Sequence, residues 1–156
     1  MKINVINIAN KMPGWVTLAC DEYLARVNHG KYSCNIIEIK ADKNPNKSVL
    51  ANMENEARKI EAQIPKDSFI IALDERGKNL DSIKFARLLE ETSLSYRQIS
   101  FIIGGADGIH PELRAKASAS ISLSSMVFPH ALVRVIILEQ IYRAISILEN
   151  HPYHRE

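Results

Sequence analysis

Short apolar runs and helix-period patterns alternate along the chain. KINVINI, residues 2–8, predicts a first strand with Ile3, Val5 and Asn7 on one face. Pro13 stands where a helix would begin, and Trp15, Leu18, Ala19, Tyr23 and Val27 follow at helical spacing. YSCNIIEIK, 32–40, predicts a second strand, and ADKNPNK a polar loop with a proline turn. Ser48 reads as the N-cap of a charged helix reaching Gln63. DSFIIALD, 67–74, is a nearly continuous apolar run, the mark of a strand covered on both faces. ERGKNL turns from it into a helix capped by Asp81 or Ser82. QISFIIGGADG runs from a fourth strand into glycines, PELRAKA is a short helix with Pro111 at its first position, and SASISLSS is a last strand. Together these elements predict an α/β fold, a mostly parallel sheet flanked by helices, in one domain over 1–156.

The final helix, from His130 to about Asn150, changes the picture. At about 100° per residue, Val133, Ala144, Ile137, Leu148, Ile141, Ile145 and Leu138 span one apolar arc. Leu132, Val135, Ile136, Tyr142 and Ile147 lie opposite, mixed with Glu139, Gln140 and Arg143. A helix apolar on both sides needs two partners: its own sheet and a second surface. A second copy of the chain is the economical choice, so the pattern predicts a homodimer. Arg134 falls within the apolar arc, where a charge is costly unless it is paired or opens onto a site.

Composition adds constraints. The net charge is +2, too small for a free-standing nucleic-acid binder. RNA binding would need a local basic surface, one assembled from two chains, or a substrate presented by a larger particle. Lys2, Lys11, Arg26, Lys31, Lys40, Lys43, Lys47, Arg76 and Lys78 are candidates for a basic face or for ordinary solvated surface. No run reaches the roughly 18 apolar residues of a membrane span, and the N-terminus lacks signal-peptide marks, so the expectation is a cytoplasmic protein away from membranes. Cys20 and Cys34, without CxxC spacing, read as reduced core thiols.

Three segments carry candidate chemistry. IIGGADGIHPE, 102–112, places Gly104, Gly105 and Gly108 after a buried strand, either as a tight turn or as backbone brought close to a ligand. The spacing is not GxGxxG, and there is no phosphate-binding loop. ISLSSMVFPHALVR, 121–134, is either a plain strand-to-helix loop or a backbone grip on an adenine edge, with Leu123, Met126 and Phe128 against its faces. The closing HPYHRE is either a solvated end or a cluster of titratable groups; His151 and His154 find no acidic or cysteine partners for a metal, so none is expected.

LDERGK after the third strand, FIIGGADG after the fourth, LSSMVFPHALVRVIILEQIYRA and the terminal NHPYHRE occur in this order. The whole chain thereby resembles the RlmH family, SPOUT-class methyltransferases of 23S ribosomal RNA. The resemblance implies an α/β SPOUT fold with a C-terminal trefoil knot, an obligate homodimer, S-adenosyl-L-methionine as cofactor, and 23S rRNA within the ribosome as partner. The reaction it implies is methylation at N3 of a pseudouridine in helix 69. The cofactor-binding residues it implies are Leu73, Gly104, Leu123, Ser124, Ser125, Met126, Val127 and Phe128. In that setting Tyr153, His154, Arg155, Arg143 and Glu139 are the expected catalytic group. His154 would accept a proton, Arg155 and Arg143 would stabilise the imide anion, Tyr153 would stack on or bond to the base, and Glu139 would orient Arg143 at i, i+4. The tail is then expected to form an active-site wall, held by the last helix and a facing subunit. Competing readings are a non-catalytic ribosome-associated α/β module and a flavodoxin-like nucleotide domain; NIANKMPGW is a poor phosphate loop for the latter.

Overall fold

A computed structural model describes residues 1–155. Among them five strands, β1 (Lys2–Ala9), β2 (Ser33–Lys40), β3 (Phe69–Asn79), β4 (Gln98–Ile103) and β5 (Ala119–Ser122), form one sheet of order β2-β1-β4-β3-β5. Every pairing is parallel. Helices connect the strands: α1 (Gly14–Val27), α2 (Val49–Gln63), α3 (Ser82–Ser95) and α4 (Pro111–Lys116), with α5 (His130–Leu148) after β5. The predicted α/β architecture is therefore present, and the sheet is wholly parallel.

The apolar strands are explained by their two coats. Ile3, Val5, Ile71, Phe101 and Ile121 pack under α1, α3 and α5, while Ile6, Ile8, Ala72 and Ile102 pack under α2, Ile109 and α4. Alternate side chains of one strand thus meet opposite layers. Each fully buried isoleucine contributes about 1.5–3 kcal/mol relative to exposure. The caps follow the sequence: Ser48 Oγ accepts from the Ala51 N–H, and the Asp81 carboxylate accepts from the Lys84 N–H. Cys20 and Cys34 are buried free thiols, and burial pushes the Cys34 thiol up to about 12.

Two features depart from expectation. ERGKNL is not a turn: β3 continues to Asn79. Leu73 and Lys78 both stand opposite Ile121, so residues 74–77 loop outward between two stretches of pairing with β5. The loop closes on Gly77, where a Cβ would lie 2.6 Å from the Ile121 backbone. The nine candidate cations also do not share a face. Lys2 and Lys31 lie at the end of the sheet where β1 begins, whereas Lys40 closes β2 at the opposite end, with Lys43, Lys47 and Lys78 beyond or beside it.

Candidate functional site

Parallel α/β sheets bind ligands beyond the carboxyl ends of their strands, where loops diverge. A cavity of about 440 Å³ lies there, at the ends of β3, β4 and β5. It is lined by Leu73, Gly104, Leu123, Ser124, Met126, Val127 and Phe128, among others. Seven of the eight residues expected at the cofactor therefore meet around one space. Ser125 does not line it; its Oγ accepts a hydrogen bond from Asn79 Nδ2 at 3.1 Å and so ties the loop to the end of β3.

The loops that form the walls are held by close backbone packing and short hydrogen bonds. A Cβ on Gly104 would sit 2.4 Å from the carbonyl carbon of Gly108 and 2.5 Å from its oxygen, so only glycine permits this fold of the loop. The 122–126 loop is held by its own serines: Ser122 Oγ donates to the Ser124 carbonyl at 2.7 Å, and the Met126 N–H donates to Ser124 Oγ at 2.9 Å. Met126 and Val127 are 75% and 84% exposed, an apolar lip over a polar floor. His130 Nε2 lies 2.6 Å from the Ile8 carbonyl, donates to it, and fastens the start of α5 to β1.

Several lining residues were not anticipated. Asp74 is nearly buried and accepts from the Arg76 N–H, from Arg76 Nε and Nη2, and from Arg114 Nη1. It clamps the outward loop of β3 to α4. Its place in LDERGK right after an apolar strand was the available signal. Arg134 is 3% exposed and its Nη1 donates to Glu38 at 2.9 Å, which pairs the charge in the apolar arc, while Nε and Nη2 have no hydrogen-bond partner among the described residues.

The expected catalytic residues gather elsewhere. Glu139 Oε1 accepts from Arg143 Nε at 2.9 Å and pairs with Nη2 at 2.7 Å, the i, i+4 contact the sequence implied. Tyr153 O–H donates to the same oxygen at 3.1 Å, and the Arg143 guanidinium lies 5.0 Å from the Tyr153 ring. Burial, then hydrogen bonding with Tyr23 and the Glu139 carboxylate, raises the Tyr153 phenol above its ordinary value, so it stays a neutral donor. His154 borders a second hollow with Ser82, Gln140 and Arg143, and its buried Nδ1 has no partner among the described residues. Arg155 is exposed. Pro152–Arg155 form a 3₁₀ turn. Its side-chain anchors lie on α1 and α5 of its own chain: Arg26 stacks over Tyr23, Tyr142 and Tyr153. No facing subunit is needed for these contacts.

Helix α5 separates the two groups. Its first turns line the cavity through His130 and Val133, and the 19 residues extend about 28 Å. None of Glu139, Arg143, Tyr153, His154 or Arg155 lines the cavity of the same chain.

Comparison with known proteins decides the family. The description "Predicted SPOUT methyltransferase" matches residues 1–154. The chain belongs to the SPOUT methyltransferase family. Proteins named "Ribosomal RNA large subunit methyltransferase H" from Burkholderia ambifaria (strain MC40-6) and Burkholderia vietnamiensis are 42% identical over 156 residues, 99% of both chains. The one from Paraburkholderia phymatum is 40% identical over the same share.

A SPOUT methyltransferase requires a methyl donor, and the cavity fits one. It has a glycine loop packed too closely between Gly104 and Gly108 to admit a Cβ on Gly104, and apolar side chains for ring faces. Among the described residues no cluster of His, Cys, Asp or Glu could hold a metal ion, and no helix is long and apolar enough to cross a membrane.

Proposed function

We propose that this protein methylates large-subunit ribosomal RNA, with S-adenosyl-L-methionine held at the ends of β3, β4 and β5. The observation that carries the reading is the convergence of Leu73, Gly104 and the 123–128 loop on one glycine-cradled cavity. The relatives' name supplies the substrate class. The target within it is N3 of a pseudouridine in helix 69 of 23S rRNA, methylated on the assembled ribosome in the cytoplasm. The modest net charge suits a substrate whose particle adds its own contacts.

The bound donor supplies an electrophilic methyl group on sulfonium. The residues of this chain do the rest. Backbone of the 104–108 and 123–128 loops grips and orients the donor. His154 accepts the N3 proton. Arg155 and Arg143 stabilise the negative charge left on the flanking carbonyl oxygens, with Arg143 held in place by Glu139. Tyr153, a neutral phenol on Glu139, presents its ring and hydroxyl to the base.

These groups reach the donor from a second chain. The length of α5 keeps each tail away from its own cavity. The outer side of α1 leaves Trp15 and Leu18 exposed at 54% and 73%, apolar surface suited to a homodimer. The knotted threading that the resemblance implies belongs to this reading.

Incubation with ribosomes lacking the modification and labelled S-adenosyl-L-methionine tests the proposal, with mass spectrometry of the rRNA nucleotides. Label on N3 of one helix 69 pseudouridine is expected. Label elsewhere, or none, would sink it.

A further inference from the structure

Glu56 lies behind the cavity, on α2, and is 8% exposed. Oε2 has no hydrogen-bond partner among the described residues. A carboxyl oxygen without a partner in the interior is unfavourable and calls for an explanation. Its position gives one. A Cβ placed on Gly105 would lie 3.0 Å from Oε2, 3.3 Å from Oε1 and 3.1 Å from Ile8 Cγ2. Gly105 and Asp107 both line the cavity; Glu56 does not. The glutamate therefore touches the back of the segment whose front faces the ligand.

We propose that Glu56 is a positioning residue for the methyl donor, setting how far the 104–108 loop reaches into the cavity. This rests on the assignment of that cavity to the donor. Glu56 never meets the donor, and it acts only through the backbone at Gly105. A side chain at Gly105 would press on this carboxyl and on Ile8, so the two must shift to admit one.

The surroundings give the device a pH dependence. Burial above all, then the Asp107 and Asp42 carboxylates, hold the Glu56 carboxyl above the usual carboxylate range; the Asp42 N–H and Lys59 oppose this more weakly. A raised value means that folding favours the protonated form over the ionised one. The arrangement is complete at low pH and is lost as pH rises through the Glu56 titration. Once ionised, Glu56 repels Asp107, which sits on the loop it supports. His110 and His130 also flank the loop and cavity, but they are common to wild type and variants.

Calorimetric titration of S-adenosyl-L-methionine into wild type, Glu56→Gln and Glu56→Ala between about pH 5 and pH 8 tests this. Wild-type affinity is expected to fall with rising pH more steeply than that of Glu56→Gln, which keeps the shape without the charge. Glu56→Ala is expected to bind roughly tenfold more weakly at every pH, because the loop loses its backing. A Glu56→Gln profile that tracks wild type overturns the inference, as does a folded Glu56→Ala chain that binds like wild type. If Glu56→Ala does not fold, the Glu56→Gln profile decides alone. Wild-type binding that survives Gly104→Ala overturns the cavity assignment and this inference with it, whereas wild-type binding lost in Gly104→Ala but indifferent to Glu56 overturns this inference only.

Discussion

The cavity proposed for the donor and the tail cluster are built on opposite plans. The cavity depends on the close packing of two backbone segments, and its decisive residue is one that has no side chain, Gly104. The tail cluster is made by side chains that converge on one carboxylate oxygen, Glu139 Oε1, which receives both Arg143 and Tyr153. Backbone recognition tolerates no added atom but is indifferent to many outward-facing residues. Side-chain recognition depends on each charged group and on the helix that spaces them. Substitutions in the first region should therefore act on donor binding and those in the second on methyl transfer.

The sharpest way to break this contrast is removal of residues 153–156. Transfer is expected to fall by about 10³-fold while S-adenosyl-L-methionine affinity stays at the wild-type value. Full activity would remove the tail from the mechanism. Gly104→Ala should do the reverse, raising the donor Kd by about 100-fold through displacement of the Gly108 backbone. Calorimetry on the purified variant reads it. Mixing these two inactive chains asks whether one site takes parts from two subunits. After random exchange, half the dimers carry one chain of each kind, and one of their two sites is intact. About a quarter of wild-type activity should return; a site contained within one chain would give none. Tyr153→Phe removes the hydroxyl that bonds to Glu139 and Tyr23 and should slow transfer by about tenfold or less, with the donor Kd unmoved. Smallest is Ser48→Ala, which removes the N-cap of α2. It should cost about 1 kcal/mol in thermal unfolding and leave both binding and transfer alone.

The elements were legible where one physical signal dominated. Nearly continuous apolar runs marked β3 and β4 because helices cover both faces of the sheet. Ser48 and Asp81 marked helix starts because their side chains satisfy free backbone N–H groups. The extension of β3 was invisible: Glu75–Asn79 are polar, and what makes them strand is pairing with β5, more than forty residues later. Strand order and the separation of tail from cavity lie equally beyond local pattern. Leu73 shows the limit most plainly. Its apolar side chain suits a core strand as well as a cavity wall, and only the resemblance singled it out. Asp74, next to it, carried the clearer signal, a carboxylate immediately after a buried strand. The basic residues stayed open between a shared face and solvated surface, because charge counted along the chain does not say at which end of a sheet it lies.

The walls of the cavity run from Leu73 to Val133. During synthesis, then, the first seventy residues meet no donor, and β1 waits for β4 before it has a neighbour on that side. A small molecule that binds only the finished shape stabilises only the finished shape. Abundant methyl donor cannot hasten the early steps of this chain's folding; it can only hold the product, once the start of the last helix has left the ribosome.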